Sequence, residues 1–323
     1  MFQSAASVAF ATAALLFAPA LASFADEVRK VPVIVDTDMA LDDARALALL
    51  ARASSLELVA LLTSDGGSSP CDGASRSHRL LTRLGRGGVP VGVGVPLAAP
   101  APPWREISRI LDELGSGEAP ACDALPGALK LAREALDRSS SAVTWVALGP
   151  MTNLASLLER HPKLESRIRA VYYSGDRADL EPPDWNTARD RGAAAAVLDG
   201  RVPVYLVPPR EAEAALPLDA SLLKAVAGID SPAAQWISRL HADARMPRIV
   251  ADGDTGPWDD VVALALLEPA AFESTPVGDS PHLRRLFPRS PEAVRHALLR
   301  VLSAGAGLEA RPDAGRSRFP TEP

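Results

Sequence analysis

The sequence predicts an open, mostly parallel, doubly wound α/β sheet with helices on both faces, built as a single domain. Two observations carry that prediction. Short apolar runs rich in Val, Ile and Leu alternate with helix-forming runs along most of the chain, which is the pattern that successive strand–helix–strand units require. The strand candidates are also close to continuously apolar, as expected where a sheet is covered on both faces. No internal repeat, low-complexity tract or linker divides the chain. Its 47% hydrophobic and 23% charged residues suit an ordinary globular fold.

The elements follow in order. Pro32 to Val35 reads as a first, buried strand, and Ala44 to Ala51 (ARALALLA) as a strong helix former. Leu56 to Thr63 is the second strand, followed by a Gly/Ser loop from Ser64 to Gly73, a helix from Ala74 to Leu84 and a strand from Val89 to Val95. The Pro-rich stretch from Pro96 to Pro103 is a long connection of the kind that covers functional sites, and a helix from Trp104 to Leu114 follows it. Leu125 to Asp137 reads as a helix and Val143 to Leu148 as a buried strand; Gly149 to Asn153 then turns into a helix ending near Arg160. After a strand from Ala170 to Ser174 come an irregular polar stretch to Arg189, a helix from Gly192 to Leu198 and a strand from Val202 to Val207. Residues 208–253 read as mostly helical, Asp254 to Asp260 leads into an apolar helix from Val261 to Leu267, and Pro291 to Leu302 docks as a last helix.

The ends read differently. Residues 1–25 resemble a secretory signal peptide, with an apolar run from Val8 to Ala18 and a small-x-small cleavage pattern at Ala20 to Ala22, although no Lys or Arg precedes the run. The α/β domain is assigned to residues 26–310 and a loose tail to 311–323, and a periplasmic or secreted location is expected. Cys71 and Cys122 either form one bridge there or stay free; sequence does not bring them within bonding distance. A net charge of −6, and the lack of a basic block interleaved with aromatics, argue against a nucleic-acid binder. Beyond the leader no segment approaches membrane-spanning length. A homo-oligomer acting on a small molecule is expected.

The run Val33 to Asp43 (VIVDTDMALDD) carries the chemistry. It sets Asp36, Asp38, Asp42 and Asp43 between the end of a buried strand and the first turn of a helix, where ligands bind in open α/β sheets. Helix capping by Asp42 and Asp43 explains part of the cluster. It does not explain Asp36 and Asp38 at the same strand end, because crowded carboxylates raise one another's pKa unless a cation neutralises them. An all-oxygen set without His or Cys favours calcium or magnesium over zinc. The five histidines are scattered singly and offer no alternative metal site.

Three later segments again put polar residues just after an apolar strand or before an apolar helix: ALGPMTNLA (Ala147 to Ala155), PPDWNTARD (Pro182 to Asp190) and GPWDDVVALALLEP (Gly256 to Pro269). In this order, with DTDMALDD first, they resemble the nucleoside hydrolase family, calcium-dependent enzymes that cleave the N-glycosidic bond of ribonucleosides. The similarity runs from about Val31 to Pro269. It implies a Rossmann-like fold and a Ca2+ held by Asp38, Asp43, the Thr152 carbonyl and Asp259. Asp38 would also be the general base on a metal-bound water, and Asp36 would orient the loop from behind. Asp42 and Asn186 would take ribose hydroxyls, with Asp184 standing where the family has a sugar-contacting Glu.

Departures from the pattern bear on specificity. Gly66-Gly67 stands where the family often has an Asn after the second strand, with Asp65 as the near substitute. Trp258 stands where many members carry a His that is a candidate acid for the leaving base. An indole cannot donate that proton, but it can stack on a purine. Trp185 or Trp104 would supply the other face, implying a purine preference. Two other readings stay open: a calcium-dependent nucleoside or ribose binder without turnover, and an aspartate-based phosphohydrolase, which Asp36-Thr37-Asp38 also resembles but which leaves Asp42-Asp43 unexplained.

Overall fold

β1 (Val31–Thr37) lies inside an eight-stranded sheet of order β3-β2-β1-β4-β5-β6-β8-β7. The computed structural model describes residues 30–304, so the leader at 1–25 and the tail at 311–323 lie outside the described residues. β1 is followed by α1 (Leu41–Arg52), β2 (Leu56–Thr63), α2 (Pro70–Arg83) and β3 (Val91–Val93). A 3-10 helix over Pro103–Arg109 leads into α3 (Ile110–Leu114); then come α4 (Ala128–Arg138), β4 (Val143–Ala147), α5 (Thr152–Arg160) and β5 (Ile168–Ser174). α6 (Trp185–Arg189), α7 (Arg191–Leu198) and β6 (Val204–Val207) precede a helical stretch of α8 (Pro209–Ala215), α9 (Ala220–Ala227), α10 (Pro232–His241), α11 (Met246–Ala251) and α12 (Trp258–Leu267). β7 (Phe272–Val277), β8 (Ser280–Pro288) and α13 (Pro291–Ala304) complete the described chain.

All neighbouring strands are parallel except β7 and β8. Successive side chains of β1 point to opposite faces. Val33 and Val35 join the core formed with α1, α10, α12 and α13, while Ile34 joins the core under α4, α5 and α7. The strand order runs outward from β1 through β2 and from β4 through β5. The connections leaving β1 and β4 therefore diverge and open a crevice at the carboxyl end of this pair. Asp36 lies there, in register with Ala147 on β4 and Leu62 on β2.

The predicted sheet and single domain are those observed, with local differences. The antiparallel β7–β8 hairpin was not expected, because its edge position leaves β7 largely exposed and without an apolar run. Only Val91–Val93 of the expected 89–95 strand pairs, as Pro90 and Pro96 bound it. The expected helix from Trp104 opens as a 3-10 turn, and α6 occupies part of the stretch read as irregular. Cys71 and Cys122 form a disulfide with their Cα atoms 5.4 Å apart, which settles the open alternative and ties the start of α2 to the turn at Cys122–Ala124. Among the described residues no helix is long and apolar enough to cross a membrane.

Candidate active site

The loop leaving β1 wraps around one carboxylate. Asp43, in the first turn of α1, accepts from the backbone N–H of Asp38 at 3.1 Å, of Met39 at 3.2 Å and of Ala40 at 3.1 Å, and from the Thr37 hydroxyl. The reach back to Ala40 is the helix-capping contact that the sequence allows. Capping and the tight loop are thus one structure, and Met39 takes a positive φ of 55° to complete it. Asp43 is buried and fixed before any ligand arrives.

α12 brings a second acidic pair to the same place. Asp259 and Asp260 occupy its first turn, and both are buried. Oxygens of Asp42, Asp43 and Asp259 lie within 4.8 Å of one another, a spacing and donor chemistry that fit a hard cation. Burial first, then the charges of Asp43 and Asp42, push the Asp259 carboxyl well up, while the Ser174 hydroxyl opposes the shift. Asp42 is raised to about 8, by burial first and then by Asp43. Asp260 pairs with Arg45 of α1, through Nε at 3.0 and 3.2 Å. Arg45 is 1% exposed. Sequence reading missed this pair, for which the only signal was a single Arg within an otherwise apolar helix run.

Asp38 sits beside the trio. Burial and the Asp43 charge drive its carboxyl well above the usual range, and the Gly67 N–H offsets part of the shift. Its side chain lies directly over the loop after β2: a Cβ at Gly66 would be 1.8 Å from Asp38 Oδ2, and one at Gly67 would be 2.6 Å from the Ala40 Cβ. The Gly66-Gly67 departure is thus a steric requirement of this packing. A Cβ at Gly149, after β4, would similarly stand 2.9 Å from that of Asp38. Asp65 does not substitute for the missing Asn, because its carboxylate is engaged by Arg105, by Arg189 at 2.6 Å and by the Leu97 N–H at 3.0 Å.

The ends of β4 and β5 close the site. Asn186 donates to the carbonyls of Leu148 at 2.6 Å and Ser174 at 3.0 Å, so its own Oδ1 is what it can offer a ligand. Thr152 opens α5 on the turn after β4, and its hydroxyl donates to Asp190 at 2.6 Å; the strand-end carbonyl of Leu148 already accepts from Asn186. Asp184 caps α6 through the Thr187 N–H at 3.0 Å and holds the Asp176 N–H at 2.9 Å. Asp36 lies behind the loop, accepting from Asn153 at 2.8 Å. Its other oxygen is buried without a partner, and burial lifts the carboxyl to about 7 against the pull of Asn153 and Trp145.

The three tryptophans that the sequence singles out, of five in the chain, divide. Trp258 is half-buried, resting on Gly256 and on the α1/α12 core. Trp104 and Trp185 meet edge to face with centroids 4.4 Å apart, and Trp185 is among the few large exposed apolar side chains.

Over residues 33–278 the sequence matches the model of the family described as inosine-uridine preferring nucleoside hydrolase. The chain belongs to the nucleoside hydrolase family. It is 31% identical over 265 residues to a pyrimidine-specific ribonucleoside hydrolase of Photobacterium profundum, covering 75% of this chain and 82% of that one. A similar enzyme of Shewanella woodyi is 29% identical over 263 residues, with 75% and 80% covered. Among solved structures, a plant nucleoside hydrolase superposes with a TM-score of 0.71 at 19% identity, covering 85% of this chain and 100% of that one. A purine-preferring ribonucleoside hydrolase of Gardnerella vaginalis gives 0.67 at 16% identity, covering 84% and 99%. These two likenesses concern the fold. Family membership makes this chain a hydrolase of N-glycosyl compounds whose substrates are small nucleosides.

Proposed function

We propose that the chain hydrolyses the N-glycosidic bond of ribonucleosides with Ca2+ bound at Asp42, Asp43 and Asp259, and with Asp38 beside them as general base. The observation that carries this reading is the buried all-oxygen trio within 4.8 Å, formed where two helix N-termini meet a strand end. Buried carboxylates at this density require a compensating charge. Asp38 and the Thr152 carbonyl complete the oxygen set, as the family resemblance implies. When bound, the cation supplies charge that orients the sugar diol and makes a water easier to deprotonate.

The chain's own groups do the rest. Asp38, held against Gly66 and Gly67, takes a proton from the attacking water. Asn186 accepts from a ribose hydroxyl through Oδ1, its amide protons being used on Leu148 and Ser174. Cleavage builds positive charge on the sugar, and the acidic floor of the crevice stabilises it. Trp258, Trp185 and Trp104 supply aromatic surface toward the leaving base, which favours purines. A second reading, pyrimidine specificity, is favoured by the likeness to the pyrimidine-specific hydrolase of Photobacterium profundum. The proposal extends to an oxidising compartment outside the cytoplasm, supported by the leader-like residues 1–25 and by the Cys71–Cys122 bridge.

The test is turnover of inosine, uridine and p-nitrophenyl riboside by the calcium-loaded chain. Faster inosine hydrolysis supports the purine reading and faster uridine hydrolysis the pyrimidine one. Binding without turnover of any of the three returns the chain to a nucleoside-binding role.

A further inference from the structure

Asp65 has no part in the proposed chemistry, yet it is 3% exposed and the most heavily bonded acid on the rim of the site. Its Oδ1 accepts from both Arg105 and Arg189, its Oδ2 from the Leu97 N–H, and its carbonyl from Arg189 Nε at 3.3 Å. The two arginines arrive from opposite sides. Arg105 follows Trp104 on the segment after the Pro-rich connection and also donates to the Gly66 carbonyl at 3.0 Å. Arg189 ends the helix that begins with Trp185, places its guanidinium 6.0 Å from that ring, and donates to the Pro100 carbonyl at 2.7 Å. One carboxylate therefore joins the two backbone segments that carry Trp104 and Trp185.

We propose that Asp65 is a positioning residue for base recognition: by clamping Arg105 and Arg189 it holds Trp104 and Trp185 edge to face as a wall for the leaving base. The inference rests on the nucleoside hydrolase reading for what the wall faces. The physical reason is entropic and geometric. An indole that is not buried in a core presents a fixed face only if its backbone is pinned, and a charge-assisted fork from a buried acid pins it without occupying the pocket. Asp65 lies next to Gly66, which touches Asp38, so the wall is also set at a fixed distance from the base.

Asp65→Asn is the informative variant. It keeps the size but turns an amide NH2 toward either the Leu97 N–H or an arginine, setting donor against donor. The experiment compares the calcium-loaded wild type, Asp65→Asn, Trp104→Phe and the double variant. The readouts are KM and kcat for inosine, inhibition by free ribose, and the near-ultraviolet circular dichroism of the indoles. Asp65→Asn is expected to raise KM roughly three- to tenfold, the scale of an oriented aromatic contact, with kcat and ribose inhibition changed by less than about twofold. The double variant is expected to be no worse than the weaker single one, because both remove the same wall. An unchanged KM, equal weakening toward ribose and inosine, or additive losses would overturn the proposal. If the wild type hydrolyses no nucleoside, that reading fails separately and the clamp is judged by circular dichroism: loss of the indole signal in Asp65→Asn supports it, and an unchanged signal overturns it.

Discussion

Arg45 and Asp260 form a buried two-pronged ion pair, 3.0 Å at its closest, that joins the helix carrying Asp42 and Asp43 to the helix carrying Asp259. Arg45 also donates to the Gly256 carbonyl and, at 3.4 Å, to the Thr255 hydroxyl, so it fixes the turn from which α12 starts. The distance between the two halves of the carboxylate trio is set by this clamp.

Removing one member leaves a buried charge unpaired, which costs about 3–5 kcal/mol. Arg45→Met is therefore expected to lower unfolding free energy by that order in a urea titration, and to weaken calcium binding in the fraction that stays folded. Pairing it with Asp260→Leu should restore most of the stability. It should not restore calcium affinity, because the turn before α12 remains unanchored. A single variant as stable as the wild type would show that the clamp is not structural.

The metal-free protein should respond to pH in a defined direction. Burial and mutual repulsion hold Asp36 to about 7 and Asp42 to about 8, whereas the same groups in the unfolded chain titrate near 4. Between those values the native state binds more protons than the unfolded state, so stability falls as pH rises, and the raised Asp38 and Asp259 act in the same direction. Melting temperatures of the chelated protein should drop from pH 5 to pH 8.5, and saturating calcium should remove most of the slope. A chelated protein that becomes more stable over this range would refute the repulsion.

Asp38 and Asp42 should separate kinetically. Asp38→Asn is expected to lower kcat by roughly a hundredfold or more with little change in ribose inhibition, as for loss of a general base. Asp42→Asn should weaken calcium binding and turnover together, because Asp42 belongs to the trio. An Asp38→Asn enzyme with normal kcat would remove Asp38 from its role.

Gly66→Ala is the steric test of the loop after β2. Its Cβ would overlap Asp38 Oδ2, forcing the base or the loop to move. A displacement of about 1 Å can cost a hundredfold in rate, so kcat should fall sharply while melting temperature changes little. Full activity in this variant would show that the observed Asp38 position is not the working one.

Much of this was legible in the sequence because the fold repeats simple periods. Buried strands and apolar helices announced the sheet, and DTDMALDD marked the one strand end where acids crowd beyond the needs of capping. The illegible parts depend on partners far apart in the chain. Arg45 reads as a stray charge until Asp260, 215 positions away, is brought against it. Asp65 reads as a ligand candidate from a neighbouring motif, and only the arginines and the Leu97 N–H around it show that the protein uses it itself. The β7–β8 hairpin carries too little apolar periodicity to be seen before it is paired.

The most direct measurement is ribose release from inosine by chelator-treated protein as calcium is added back. The account predicts negligible turnover without the ion and full recovery as a single site fills, with no recovery in Asp259→Ala. Equal turnover with and without chelator, or recovery in Asp259→Ala matching the wild type, would contradict a cation held by Asp42, Asp43 and Asp259.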